Sequence, residues 1–117
     1  MTSEKKMKLA HTHDLGVTAC AIRLRAARAL TGLNQKELSS KLPWLSPTNL
    51  NNMEKGTSFP NRQIMEYYYR EHRVDFNFLI GGLYAQLPGD VQERLFSALE
   101  VVNSEWDRKQ NSNRTAT

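Results

Sequence analysis

Three times in this chain an apolar residue precedes a helix-capping side chain, and a second apolar residue follows four positions into the helix. The sites are Leu33-Asn34…Leu38, Leu45-Ser46…Leu50 and Val74-Asp75…Leu79. The capping oxygen satisfies a backbone N–H left without a partner by the first turn, and the apolar pair fixes the angle at which the chain enters the helix. Glu37 completes a capping box with Asn34. Pro47 falls at the first helical position, where a missing N–H costs nothing. A chain punctuated this way is committed to short helices, and no alternating β-branched run competes as a strand. The predicted fold class is all-α.

From Thr18, Ile22, Ala26, Ala29 and Leu30 form one stripe of a helix that Gly32 stops. A helix over 35–42 ends at Pro43, and another spans 46–55 before Gly56. Asn61 caps "RQIMEYYYREH", Asp75 caps "FNFLI", and Gly81-Gly82 reads as a hinge. After Pro88, Val91, Leu95, Ala98/Leu99, Val102 and Trp106 recur at helical spacing. The expected organisation is a flexible basic arm over 1–13, a helical domain over 14–82, a C-terminal helix over 83–106 and a disordered tail over 107–117.

At 117 residues the chain suits one domain with an appended element. Cys20 is its single cysteine, which excludes an internal disulfide and fits a reducing cytoplasm. There is no apolar run of the roughly 20 residues a membrane-spanning helix needs, and no apolar segment follows the N-terminal lysines as a secretory signal requires. Cytoplasmic location without membrane attachment is the expectation. Residues 1–62 carry ten Lys/Arg against four Asp/Glu, a balance of +6, whereas residues 63–117 carry six against eight, a balance of −2. The first half is therefore suited to a polyanion and the second is not.

With Leu50 and Met53 turned inward at 100° per residue, Thr48, Asn51, Asn52 and Lys55 face outward and Asn49 lies on the flank. These are short, uncharged hydrogen-bonding groups with one cation. Asn pairs with adenine N6 and N7 in the major groove, Thr meets a thymine methyl, and Lys55 suits a phosphate. A face chosen for solubility alone would carry more Glu, Lys and Gln.

"RLRAARALTGLNQKELSSKL…LSPTNLNNMEKGTSFP" resembles the Cro/repressor-type (XRE) helix-turn-helix family. Arg28, Gly32 and Gln35 match one run of the family pattern, and Leu50, Met53, Glu54 and Gly56 match its later ending. The likeness covers roughly residues 20–82, with "YYYREHRVDFNFLIGG" similar to the closing helices. It implies a five-helix lambda-repressor-like domain, here with an added C-terminal amphipathic helix. It also implies that Gln35 grips a backbone phosphate, with Lys36 beside it, and that Ser46, Thr48 and Asn52 contact DNA. Arg28 and Glu54 match a structural pair joining the first and third helices of that unit. The turn Pro43-Trp44-Leu45 is one residue longer than usual, and Pro47 replaces a base-reading side chain.

The remaining features take simpler readings. Arg23 and Arg25 are expected to face solvent or phosphate, Trp44 to plug the core edge, Cys20 to be buried, and Tyr67, Tyr68 and Tyr69 to pack rather than stack on bases. His11-Thr12-His13-Asp14 lacks further ligands at metal-site spacing, so no metal and no cofactor is expected. No phosphate-cradling glycine loop or nucleophile–base pair points to an enzyme. Val91, Leu95, Leu99, Val102 and Trp106 are assigned to dimerisation, since one helix-turn-helix reads only a half-site. The expected function is a double-stranded-DNA-binding transcriptional regulator, a repressor by default, acting as a homodimer. The alternative is an antitoxin- or antagonist-type module whose partner is a protein, such as a toxin or another regulator.

Overall fold

The computed structural model describes residues 1–115, with side chains through residue 112. Among the described residues there are seven helices and no strand: α1 (Ser3–Leu9), α2 (Val17–Thr31), α3 (Gln35–Lys41), α4 (Pro47–Glu54), α5 (Arg62–His72), α6 (Phe76–Gly81) and α7 (Gly89–Thr115). The fold is all-α. No described helix is long and apolar enough to cross a membrane.

The helix starts follow from local chemistry. Asn34, Ser46, Asn61 and Asp75 each accept a hydrogen bond from the backbone N–H three residues on, and Asn34 and Glu37 form the reciprocal capping box. The staple residues Leu38, Leu45, Leu50, Val74 and Leu79 are buried, and Leu33 packs against the core edge.

Helix α2 is the central element, packed against α4, α5, α6 and α7. It buries Ala19, Cys20, Ala21, Ile22, Arg23, Leu24, Ala26, Ala27 and Leu30, positions on nearly every side. Its alanines leave room for several helices to approach closely, and this is why a helix with little apolar bulk sits at the centre.

The largest of these contacts gives the residues assigned to dimerisation a partner within the chain. Val91, Leu95 and Leu99 are fully buried and Val102 nearly so, all within one protomer, where α7 lies along α2. Arg94 ties the same helix to α2 by donating to the Leu30 carbonyl at 2.9 Å. Trp106 is half-buried under the Arg25 guanidinium, 4.8 Å from the ring centroid. An apolar stripe requires a cover, and here α2 is that cover.

Residues 1–13 are not a flexible arm. Thr2 caps α1 by accepting from the Lys5 N–H, α1 packs on α7, and Ala10 is fully buried. Asn103 of α7 donates to the Leu9 carbonyl and bonds the His11 ring at 2.6 Å, while Thr12 donates to the Gly82 carbonyl. Helix α1 itself buries no residue, so apolar periodicity carries no trace of it. Over 107–115, where a disordered tail is expected, α7 continues. Extending an established helix needs no new nucleus, so polar residues propagate it. Residues 116 and 117 lie outside the described residues.

Gly81-Gly82 is a fixed joint rather than a hinge. Gly82 takes φ +70° as the C-cap of α6, and a Cβ there would fall 2.6 Å from the Ala10 carbonyl oxygen and 2.9 Å from the Thr12 Cα. Both neighbours are backbone atoms held by the bonds above. Gly82→Ala is expected to destabilise the protein by about 3 kcal/mol in urea titration. A loss below about 1 kcal/mol would mean that residues 10–12 shift freely.

Arg23 also departs from expectation, since it is fully buried and faces neither solvent nor phosphate. Its guanidinium donates to the carbonyls of Ala10, His11, Asp14, Leu79 and Ile80 at 2.6–3.1 Å and to the Cys20 sulfur at 3.6 Å. Burial pulls its pKa down, against the opposing influence of Cys20 and Asp14. Trp44 does not plug the core edge: the residue is 37% exposed in the α3–α4 connection. Tyr67 and Tyr68 are buried, while Tyr69 faces outward.

Candidate nucleic-acid interface

Helix α4 is short and built from residues of modest helix propensity, so its position is set by what holds it. Leu50 and Met53 enter the core, and Glu54 is fully buried at its C-terminal end. The Glu54 carboxylate accepts from Arg28 Nε at 2.8 Å, Arg28 Nη2 at 2.9 Å and Gln35 Nε2 at 3.0 Å. One carboxylate therefore joins α2, α3 and α4. Burial opposes the Arg28 charge, but the hydrogen bonds and charge of Glu54 outweigh it and raise the Arg28 pKa. The Tyr68 phenol is pushed well up, by burial first and then by Glu54. Its hydroxyl has no hydrogen-bond partner among the described residues.

Arg25 adds a second clamp. Its Nε donates to the Glu54 carbonyl at 2.6 Å while its guanidinium lies over Trp106. Arg25 is thus a structural link between α4 and α7, not a free cation. Nothing in its sequence context distinguishes it from a surface arginine, because its partners are a backbone carbonyl and an indole far along the chain.

With its inner face and C-terminal end fixed, α4 exposes Thr48, Asn49 and Asn51, with Ser46 and Lys55 exposed at its two ends. Asn52 is half-buried, because the chain turns back after Gly56 and the N–H groups of Thr57 and Ser58 donate to its carbonyl. Asn49 is thus more accessible than Asn52. Lys36 is exposed on α3. Gln35 is half-buried and commits one amide hydrogen inward to Glu54, so half of its donor capacity serves the fold. The sole carboxylate of α4 is Glu54, so its exposed surface has donors, acceptors and a cation but no anion.

The segment after α4 extends this surface in a way its composition did not signal. Thr57, Ser58 and Phe59 are all exposed beside Lys55. A loop whose backbone folds onto the preceding helix is invisible to periodicity.

Among the described residues no group of three or more His, Cys, Asp or Glu side chains could hold a metal ion. The His11 ring bonds Asn103, and His11 and His13 adopt positive φ within the tightly bonded 10–14 turn. Comparison of the chain with protein-family models, with curated proteins and with solved structures finds no match.

Proposed function

We propose that this protein is a helix-turn-helix transcriptional regulator of the Cro/repressor type that binds double-stranded DNA as a homodimer. In this reading α3 and α4 are the helix-turn-helix pair and α4 enters the major groove. Thr48, Asn49, Asn51 and Asn52 read base edges, while Lys36 and Lys55 contact phosphates. Gln35 positions α4 through Glu54 and keeps one N–H for a phosphate. The observation that carries the reading is a rigidly anchored α4 that presents uncharged polar side chains and no exposed carboxylate. A surface of that kind can approach DNA without repelling its phosphates. Two half-sites about 34 Å apart, related by a two-fold axis, are the matching target. Repression by occlusion then needs no cofactor.

Selection from a random duplex library tests the proposal directly. Enrichment of an inverted repeat is expected, and enrichment no stronger than with a scrambled control would refute it. On the selected site, Asn52→Ala should cost about 1–3 kcal/mol and relax one base position. Lys55→Ala should weaken all sequences alike and flatten the salt dependence. An unchanged salt slope would remove Lys55 from the phosphate contacts.

A further inference from the structure

The two arginines that hold α4 in place also line a groove of about 310 Å³ between α2 and α7. Arg25, Arg28 and Ala29 form its α2 side, with Ala98, Val101 and Glu105 among the residues of its α7 side. Ala29, Ala98 and Val101 supply apolar surface, and Val101 is 56% exposed although both helices are otherwise well packed against each other. A groove of this volume is at the small end of ligand sites and suits a molecule of a few heavy atoms rather than a folded partner.

Charge decides what this groove fits. Arg28 spends its donors on Glu54 and the Leu33 carbonyl. Arg25 commits only Nε, to the Glu54 carbonyl, and its two terminal nitrogens have no hydrogen-bond partner among the described residues. The Trp106 ring supports that guanidinium from α7. Glu105 is exposed and makes no hydrogen bond or ion pair among the described residues. Opposite charges on facing helices thus line one groove without pairing with each other. A simple anion would meet Glu105 and a simple cation would meet Arg25. A zwitterion satisfies both, with its carboxylate across the free end of the guanidinium and its ammonium against Glu105.

We propose that the α2–α7 groove is a binding site for a free apolar α-amino acid of about the size of leucine. Arg25 takes the carboxylate, Glu105 takes the ammonium, and the side chain lies on Ala29, Ala98 and Val101. The bound molecule rests against the same arginine that holds the Glu54 carbonyl, at the C-terminal end of α4. The inference goes beyond the regulatory reading above and does not depend on it.

Isothermal titration calorimetry of the full chain with L-leucine tests it. Saturable binding with a Kd below about 1 mM is expected. 4-Methylpentanoate lacks the ammonium and 3-methylbutylamine lacks the carboxylate, so each should bind roughly tenfold more weakly or worse. Glu105→Gln, on an exposed position, should leave far-ultraviolet circular dichroism unchanged, weaken L-leucine roughly tenfold and leave 4-methylpentanoate unaffected. Arg25→Gln should weaken both carboxylates. In a Trp44→Phe background Trp106 is the one tryptophan left, and its fluorescence should shift as the groove fills. Binding weaker than about 1 mM, equal affinity for L-leucine and 4-methylpentanoate, or indifference to both Glu105→Gln and Arg25→Gln overturns the proposal. None of these readouts involves DNA, so the site stands or falls apart from the regulatory function.

Discussion

Arg23→Met is expected to be the most damaging single substitution in the molecule, lowering stability by about 4 kcal/mol or more. Methionine would fill much of the aliphatic volume but leave the carbonyls of Ala10, His11, Asp14, Leu79 and Ile80 without their donor. Each buried acceptor stripped of its partner costs about 1–3 kcal/mol unless water reaches it. Several of these losses occur together, in the place where the 10–14 turn, α2 and the end of α6 meet. For a domain of this size the thermal midpoint should fall by roughly 15 °C. Arg23→Lys should rescue little, because an ammonium has three hydrogens and cannot reproduce the planar fork of a guanidinium. Calorimetry together with urea unfolding measures both variants. A loss below about 1 kcal/mol for Arg23→Met would show that water takes over the carbonyls.

Truncation after Gly82 should have a still larger effect of a different kind. If α7 were only a dimerisation device, its removal would leave a folded monomer. Instead, deletion strips Val91, Leu95, Phe96, Leu99 and Val102 from the core and exposes the face of α2 they cover. Fully burying one such side chain contributes about 1.5–3 kcal/mol, so five of them rival the whole stability of a typical domain, about 5–15 kcal/mol. The truncated chain is expected to be unfolded or insoluble when expressed alone. A soluble product with a cooperative thermal transition would show that residues 1–82 are self-sufficient and that α7 is an accessory.

The helix boundaries from residue 17 to residue 81 were legible because they are local. Asn34, Ser46, Asn61 and Asp75 announce helix starts within four residues of themselves, and Pro43 and Gly32 announce ends. Non-local relations were not. Periodicity identifies the stripe from Val91 to Trp106 but does not say what covers it, and the better clue was the alanine content of α2, which leaves space for a neighbour. Helix α1 buries nothing and is held by Asn103, some ninety residues away. Arg23 reads as a surface cation because carbonyl acceptors leave no mark in a sequence. Within the candidate interface, the outward set on α4 followed from a 100° projection. The half-burial of Asn52 came from a returning loop that the projection does not include.

The anchoring of α4 separates two kinds of residue that occupy one short helix. Leu50, Met53 and Glu54 hold it in place, while Thr48, Asn49 and Asn51 touch solvent and support no part of the core. Mutation can therefore rewrite the outer set freely without endangering the fold. Relatives descended from one ancestor could keep the same scaffold and diverge in what they recognise, each through a few exchanges along eight residues.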